Sequence, residues 1–191
     1  KTDPDAGAKG ISAFIVEPHK YQGFDARPIE MIGLSKALRT NAVYLEDFVV
    51  PVENRLGKEG DGLKIVMQAL QPGRVTVAAK ALGVARACFE EALQYANERE
   101  LRGKPIGRFQ MIQSDIAEMA VAIEASRALV YKAAQFMDAD LPSNRIAALA
   151  KYHASQTAKV CADKAQQIFG GYGLALEFRV SWLKSYADLF F

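Results

Sequence analysis

The sequence predicts a mainly α protein, an antiparallel four-helix bundle preceded by a few antiparallel β-strands that belong to a partial β-domain. Three observations carry this expectation. After Gly62 the hydrophobic period changes from about two residues to between three and four, the switch from strand to helix patterning. The segments that follow are amphipathic and joined by short loops, which implies antiparallel neighbours. The strand candidates before Gly62 are too few and too short to make a stable sheet alone. At 191 residues the chain can bury a substantial core in one or two domains.

Residues 1–8 are polar, and their Asp3-Pro4-Asp5 suits an exposed hairpin loop better than a domain start, so the chain is expected to begin inside a domain. Residues 11–16 are apolar, partly β-branched and closed by Glu17-Pro18, which reads as a strand. Residues 26–32 and 42–50 are two further candidates, the second stopped by Pro51, which cannot donate to a ladder.

Leu63, Val66, Met67 and Leu70 then form an apolar stripe, and Pro72 is expected to break or restart the helix. The pattern resumes with Val75, Leu82, Ala85, Phe89, Ala92, Leu93 and Ala96 on one face, until Gly103-Lys104-Pro105-Ile106-Gly107 forces a loop. A third helix carries Ile112, Ile116, Met119, Ile123, Val130, Ala133 and Met137 inward and leaves Glu118, Glu124 and Lys132 to water. Leu141-Pro142-Ser143 restarts the chain with Ser143 as N-cap, and the fourth helix presents Ile146, Leu149, His153, Val160 and Ile168. A last segment, residues 178–191, has Val180, Leu183, Ala187 and Phe190 at helical spacing and stops without a cap, as a truncated end does.

Composition narrows the function. A net charge of +2, with Lys and Arg interspersed among Asp and Glu, gives no basic run able to track a phosphate backbone, which argues against nucleic acid. No apolar stretch reaches the roughly 20 residues of a membrane span. Cys88 and Cys161 lie in helical patterns without metal-type spacing and read as buried, reduced thiols of a cytosol or organelle matrix. His19 and His153 are isolated, with His153 a hydrogen-bonded or partly exposed imidazole in mid-helix, so no metal site is expected.

Chemistry gathers around Gln166-Gln167-Ile168-Phe169-Gly170-Gly171-Tyr172-Gly173, where a long helix meets a glycine cluster. Gly170 can end the helix in a left-handed cap, and the following glycines let backbone approach a bulky ligand. A plain C-cap and turn is the alternative. Two other stretches stand with it: Glu98-Arg99-Glu100-Leu101-Arg102-Gly103-Lys104-Pro105-Ile106-Gly107, and residues 45–51 leading to Gly57-Lys58-Glu59-Gly60-Asp61-Gly62. In this order and spacing the three resemble the C-terminal half of an acyl-CoA dehydrogenase, over essentially the whole chain.

The resemblance implies that residues 1–57 close the middle β-domain, that residues 58–191 form the C-terminal bundle domain cut short at its end, and that FAD lies between β-domain and bundle, reached by a neighbouring subunit's bundle. Arg99 matches the arginine of the E-R-x-x-F-G-x-P segment, which binds the FAD pyrophosphate, a role suited to a guanidinium fork. Gln110 matches a second cofactor contact. Gln167, Ile168, Phe169, Gly170 and Gly171 match Q-x-x-G-G, which approaches the adenosine end. Arg74 matches the arginine near the bound thioester, with an ion pair to Glu59 or Asp61 as its plain alternative. The chain departs from the pattern at Arg102, where the family has phenylalanine, at Gln71, and in Gly33-Leu34-Ser35-Lys36-Ala37-Leu38-Arg39-Thr40.

Some members place the catalytic glutamate where this chain has Gly73, so the resemblance puts the base a few residues past Phe191, with no catalytic residue inside the chain. Glu177 is read instead as an N-terminal charge of the last helix. The implied reaction is oxidation of an acyl-CoA thioester to the trans-2-enoyl-CoA, with electrons leaving to an electron-transferring flavoprotein from a homotetramer or homodimer, in a bacterial cytoplasm or a mitochondrial matrix. The alternatives are a non-catalytic paralogue serving as an oligomerisation or partner-binding module, and an acyl-CoA oxidase on the same scaffold.

Overall fold

The computed structural model describes residues 1–31 and 39–190. Ile32, the end of the second expected strand, and most of the variant segment from Gly33 lie outside the described residues. Two compact units, Lys1–Gln71 and Pro72–Phe191, divide the chain.

In the first unit, Asp3 Oδ1 accepts from the Asp5 and Ala6 amides, the side-chain-built turn that Asp3-Pro4-Asp5 favours. Two antiparallel ribbons follow. β1 (Ala13–Phe14) pairs with β4 (Arg55–Leu56). β2 (Phe24–Ile29) pairs with β3 (Thr40–Leu45), in a register running from Phe24 opposite Leu45 to Ile29 opposite Thr40. All three expected strands are present but displaced or shortened, because the partner strand rather than the apolar run fixes where a ladder ends. Phe48 packs against Tyr21 and Phe24, but several apolar side chains of this unit remain uncovered: Ile15, Val43, Leu45, Val49 and Val52 are exposed.

α1 (Gly62–Glu98) runs through Pro72 without a break, which corrects the expected interruption. Proline removes one backbone donor, at a cost of about 3 kcal/mol in a helix interior. Buried Ala78, Ala81, Ala85, Cys88, Ala92 and Ala96 anchor the turns beyond it, and the Thr76 hydroxyl donates to the Pro72 carbonyl at 3.0 Å. The stripe of Leu63, Val66, Met67 and Leu70 is exposed on this chain rather than buried, as is Leu93.

α2 (Gln110–Asp138), α3 (Asn144–Phe169) and α4 (Arg179–Ala187) complete four helices. The bundle is therefore built from other segments than the pattern suggests: the first two expected helices are one, and the last segment supplies the fourth. α2 buries Met119, Ile123, Val130 and Ala133 as expected, and ends with Asp140 at φ 51°, a left-handed terminus on a residue other than glycine. α3 begins after Ser143, but the Ser143 side chain makes no capping bond.

The core face of α3 differs from the expected stripe. Leu149 and Val160 are exposed, while Ala147, Ala150, Ala154, Ala158, Cys161, Ala162 and Ala165 are buried. Selecting large apolar residues missed a face made of small ones, which lets neighbouring helices approach closely.

Polar links fix α2 against α3. The fully buried Ser126 hydroxyl lies 2.8 Å from His153 Nδ1 and 2.8 Å from Thr157 Oγ1. Lys164 bridges Asp115 at 2.5 Å and Glu118 at 2.8 Å, and those hydrogen bonds, Asp115 first, raise its pKa. Lys184 ties α4 to α3 through Asp163. Burial pulls the Lys184 ammonium down, but Asp163 and Asp188 outweigh it and leave the pKa raised.

Candidate functional site

α1 and α3 end at the same place. Past Glu98 the chain turns through a short ribbon, β5 (Glu100–Leu101) paired with β6 (Lys104–Pro105), whose two central residues Arg102 and Gly103 have φ 54° and 75°. Two successive positive φ values make the mirror-image turn that suits a tight hairpin, and asparagine or glycine usually fills the first position. Arg102 occupies it here, at the exposed tip. The Ile106 amide donates back to the Arg99 carbonyl at 2.8 Å and closes the loop on the helix end.

At the end of α3, Gly170 has φ 60° and ψ −135°. The positive φ is as expected, but ψ corrects the left-handed cap: this is mirror-image extended backbone, open to glycine and not to L side chains. Gly171 differs. Its φ is not positive, and a Cβ built on it meets nothing within 4 Å. Among the described residues nothing in the packing requires glycine there. Gly173 does have such a reason, since a Cβ would fall 2.5 Å from the Gln166 carbonyl oxygen.

Between these two helix ends lies an open cleft of about 580 Å³, lined by Arg99, Ile168, Phe169, Gly170 and Gly171 together with Tyr95, Leu101, Ile106 and Tyr172. Five of the residues singled out by sequence thus meet in one place. Gln110 and Gln167 are exposed and outside its lining. Arg74 lies half-buried on α1, also outside it. Of the two acids offered as its plain partners, Glu59 pairs with Arg55 at 3.7 Å, and Asp61 accepts from the Lys58 amide at 3.1 Å.

Tyr95 is a wall residue outside the quoted motifs, and Tyr172 lies inside the glycine stretch, where the sequence assigns it no role. Tyr95 was hidden because it precedes the arginine segment by one helical turn and reads as ordinary helix. Tyr95 stacks on Phe169 with centroids 4.1 Å apart, and Arg99 lies over the Tyr172 ring at 5.8 Å.

An aromatic wall, a cation and bare backbone at Gly171 suit a flat, anionic, partly aromatic ligand. A dinucleotide such as FAD has that chemistry, so the residues fit the group that the sequence implies. Glu177 is exposed and sits just before the N-cap of α4. Among the described residues no cluster of His, Cys, Asp or Glu could hold a metal ion, and no helix is long and apolar enough to cross a membrane.

Comparison with known proteins gives concordant matches. Residues 60–188 match the family model described as acyl-CoA dehydrogenase, C-terminal domain. The chain is 44% identical over 181 residues to a glutaryl-CoA dehydrogenase of Desulfococcus multivorans, covering 94% of this chain and 46% of that protein. It is 40% identical over 183 residues to a subunit of the caffeyl-CoA reductase–Etf complex of Acetobacterium woodii, covering 94% of this chain and 47% of that one. The glutaryl-coenzyme A dehydrogenase complex with glutaryl-CoA superposes with a TM-score of 0.95 at 43% identity, over 99% of this chain and 48% of that one. The chain spans about half the length of the curated relatives it matches.

Proposed function

The chain belongs to the acyl-CoA dehydrogenase family, and from that premise we propose that the whole protein is an FAD-dependent dehydrogenase that oxidises an acyl-CoA thioester to the trans-2-enoyl-CoA. The observation that carries the reading is Gly171: it lacks a side chain without any conformational or packing need of its own, and it faces the same cleft as Arg99. A ligand that presses against bare backbone explains it.

On this reading residues 1–57 close the β-domain and residues 58–191 belong to the bundle. The cleft receives the pyrophosphate and adenosine portion of an FAD held by a second copy of the chain. Arg99 pairs with the pyrophosphate, and Ile168, Phe169, Gly170 and Gly171 form the wall beside the adenosine. Gln110 and Gln167, exposed on this chain, are available to the same neighbouring cofactor. Bound FAD supplies the acceptor for the hydride removed from the substrate's β-carbon.

Arg74 orients the thioester end of the substrate. The adjoining Gly73 carries no carboxylate, and the resemblance to the family assigns removal of the α-proton to a glutamate past Phe191, which must come within hydrogen-bond reach of that proton to act as the general base. The uncovered apolar residues of the first unit and of the start of α1 support burial by further chain or a second subunit. Electron transfer to an electron-transferring flavoprotein is supported by the Etf complex of the Acetobacterium relative.

Anaerobic titration of the full-length protein with a panel of acyl-CoA thioesters tests the proposal. Bleaching of a bound flavin by at least one of them is the expected outcome. A colourless protein that takes up no FAD would leave the non-catalytic oligomerisation module in its place, and peroxide release in air would identify an oxidase.

A further inference from the structure

Arg99 sits at the mouth of the cleft without an acidic partner. Among the described residues it makes no ion pair and no side-chain hydrogen bond, and its guanidinium lies over the Tyr172 ring, 5.8 Å from the centroid. That ring is the outer member of an aromatic series. Tyr172 lies 5.1 Å from Phe178, Phe178 meets Phe169 edge-on at 5.8 Å, and Phe169 stacks on Tyr95. Phe169 is buried in the core, and the series runs from it to a ring that is itself half exposed.

We infer that Tyr172 is a positioning residue, which holds the Arg99 guanidinium at the cleft mouth ready for phosphate. The inference rests on the proposal that the cleft takes the FAD pyrophosphate. A carboxylate partner would also restrain the arginine, but it would occupy the N–H fork that the phosphate needs and would repel the anion. An aromatic face attracts the cation through its π-cloud and leaves the N–H donors at the guanidinium edge free. Restraint without occupation is what a site for an incoming anion requires. The Tyr172 hydroxyl makes no hydrogen bond among the described residues, so the ring alone carries the role.

The test is FAD titration of the full-length apoprotein in its native oligomeric state, followed by flavin fluorescence, with thermal unfolding of each variant alongside. Tyr172→Phe is expected to bind like the parent, and Tyr172→Leu about two- to fivefold more weakly, the range of an exposed cation–π contact. In an Arg99→Gln background, Tyr172→Leu is expected to add nothing, because the ring acts through the arginine. Full affinity in Tyr172→Leu, a loss in Tyr172→Phe equal to that in Tyr172→Leu, or a Tyr172→Leu effect that persists without Arg99 each overturns the role. A parent protein that binds no FAD instead overturns the proposed function, and this inference with it.

Discussion

Tyr95 and Phe169 stack at 4.1 Å with an interplanar angle of 16°, joining the last turn of α1 to the last residue of α3. Both rings line the cleft, and their stack is one contact between the helix ends that carry Arg99 and Gly171. Phe169→Ala is expected to cost about 3–5 kcal/mol of stability, as for other large aromatic truncations. Urea unfolding followed by circular dichroism measures it, and a loss below about 1 kcal/mol would show that the stack does not hold the helix ends together.

The three glycines after α3 separate a conformational role at Gly170 and a packing role at Gly173 from the ligand role proposed for Gly171. Gly170→Ala forces a side chain into a mirror-image backbone and is expected to destabilise by about 1–3 kcal/mol. Gly173→Ala also destabilises, since its Cβ would fall on the Gln166 carbonyl. Gly171→Ala is expected to leave unfolding within about 0.5 kcal/mol of the parent while weakening FAD binding by about tenfold. Parallel unfolding and FAD titrations of the full-length variants check the separation; undiminished FAD affinity in Gly171→Ala removes the main support for the ligand site.

On the proposed function, Arg99→Gln deletes a charged hydrogen-bond donor to the FAD pyrophosphate, a contact of about 1.5–3 kcal/mol. FAD affinity is expected to fall by about ten- to a hundredfold. Arg99→Lys is expected to restore it only in part, because an ammonium cannot reproduce the fork. Equal affinity in all three proteins would mean that the pyrophosphate lies elsewhere.

Ser126 reaches both His153 and Thr157 from a fully buried position. Ser126→Ala removes the hydroxyl that His153 and Thr157 share, leaves them only their own longer contact of 3.4 Å, and is expected to cost about 1–3 kcal/mol. Ser155→Ala provides the contrast: that hydroxyl only returns to the Lys151 carbonyl within its own helix, and its loss is expected to be close to neutral. Equal denaturation midpoints for the two variants would refute the cross-helix role of Ser126.

Cys88 and Cys161 are free and buried, and burial pushes each thiol from 9.0 up to about 12, with the Cys161 charge adding to the Cys88 shift. Folding therefore disfavours both thiolates. Their contribution to stability is fully present below pH 9 and declines as the pH rises towards 12. Disulfide reagents at pH 8 are expected to label neither thiol until denaturant is added. Rapid labelling of the native protein would contradict the burial.

Much of this was legible from residue order alone, for stated physical reasons. Amphipathic period fixes helix existence, so α2 and the inward Val180, Leu183 and Ala187 of α4 lie where the pattern puts them. Backbone chemistry fixes the glycine terminus at Gly170 and the loop after Arg99. What local pattern could not decide was continuity through Pro72, where core contacts further along the helix outweigh one lost hydrogen bond. Nor could it decide which face of α3 turns inward, because that face is alanine and small size has meaning only against a close neighbour. The cleft itself belongs to tertiary structure. Arg99 and Gly171 are far apart in sequence, and only the meeting of the ends of α1 and α3 at the Tyr95–Phe169 stack brings a cation and a bare backbone to one cleft, since that juxtaposition comes from burying apolar groups together and is written in no single segment.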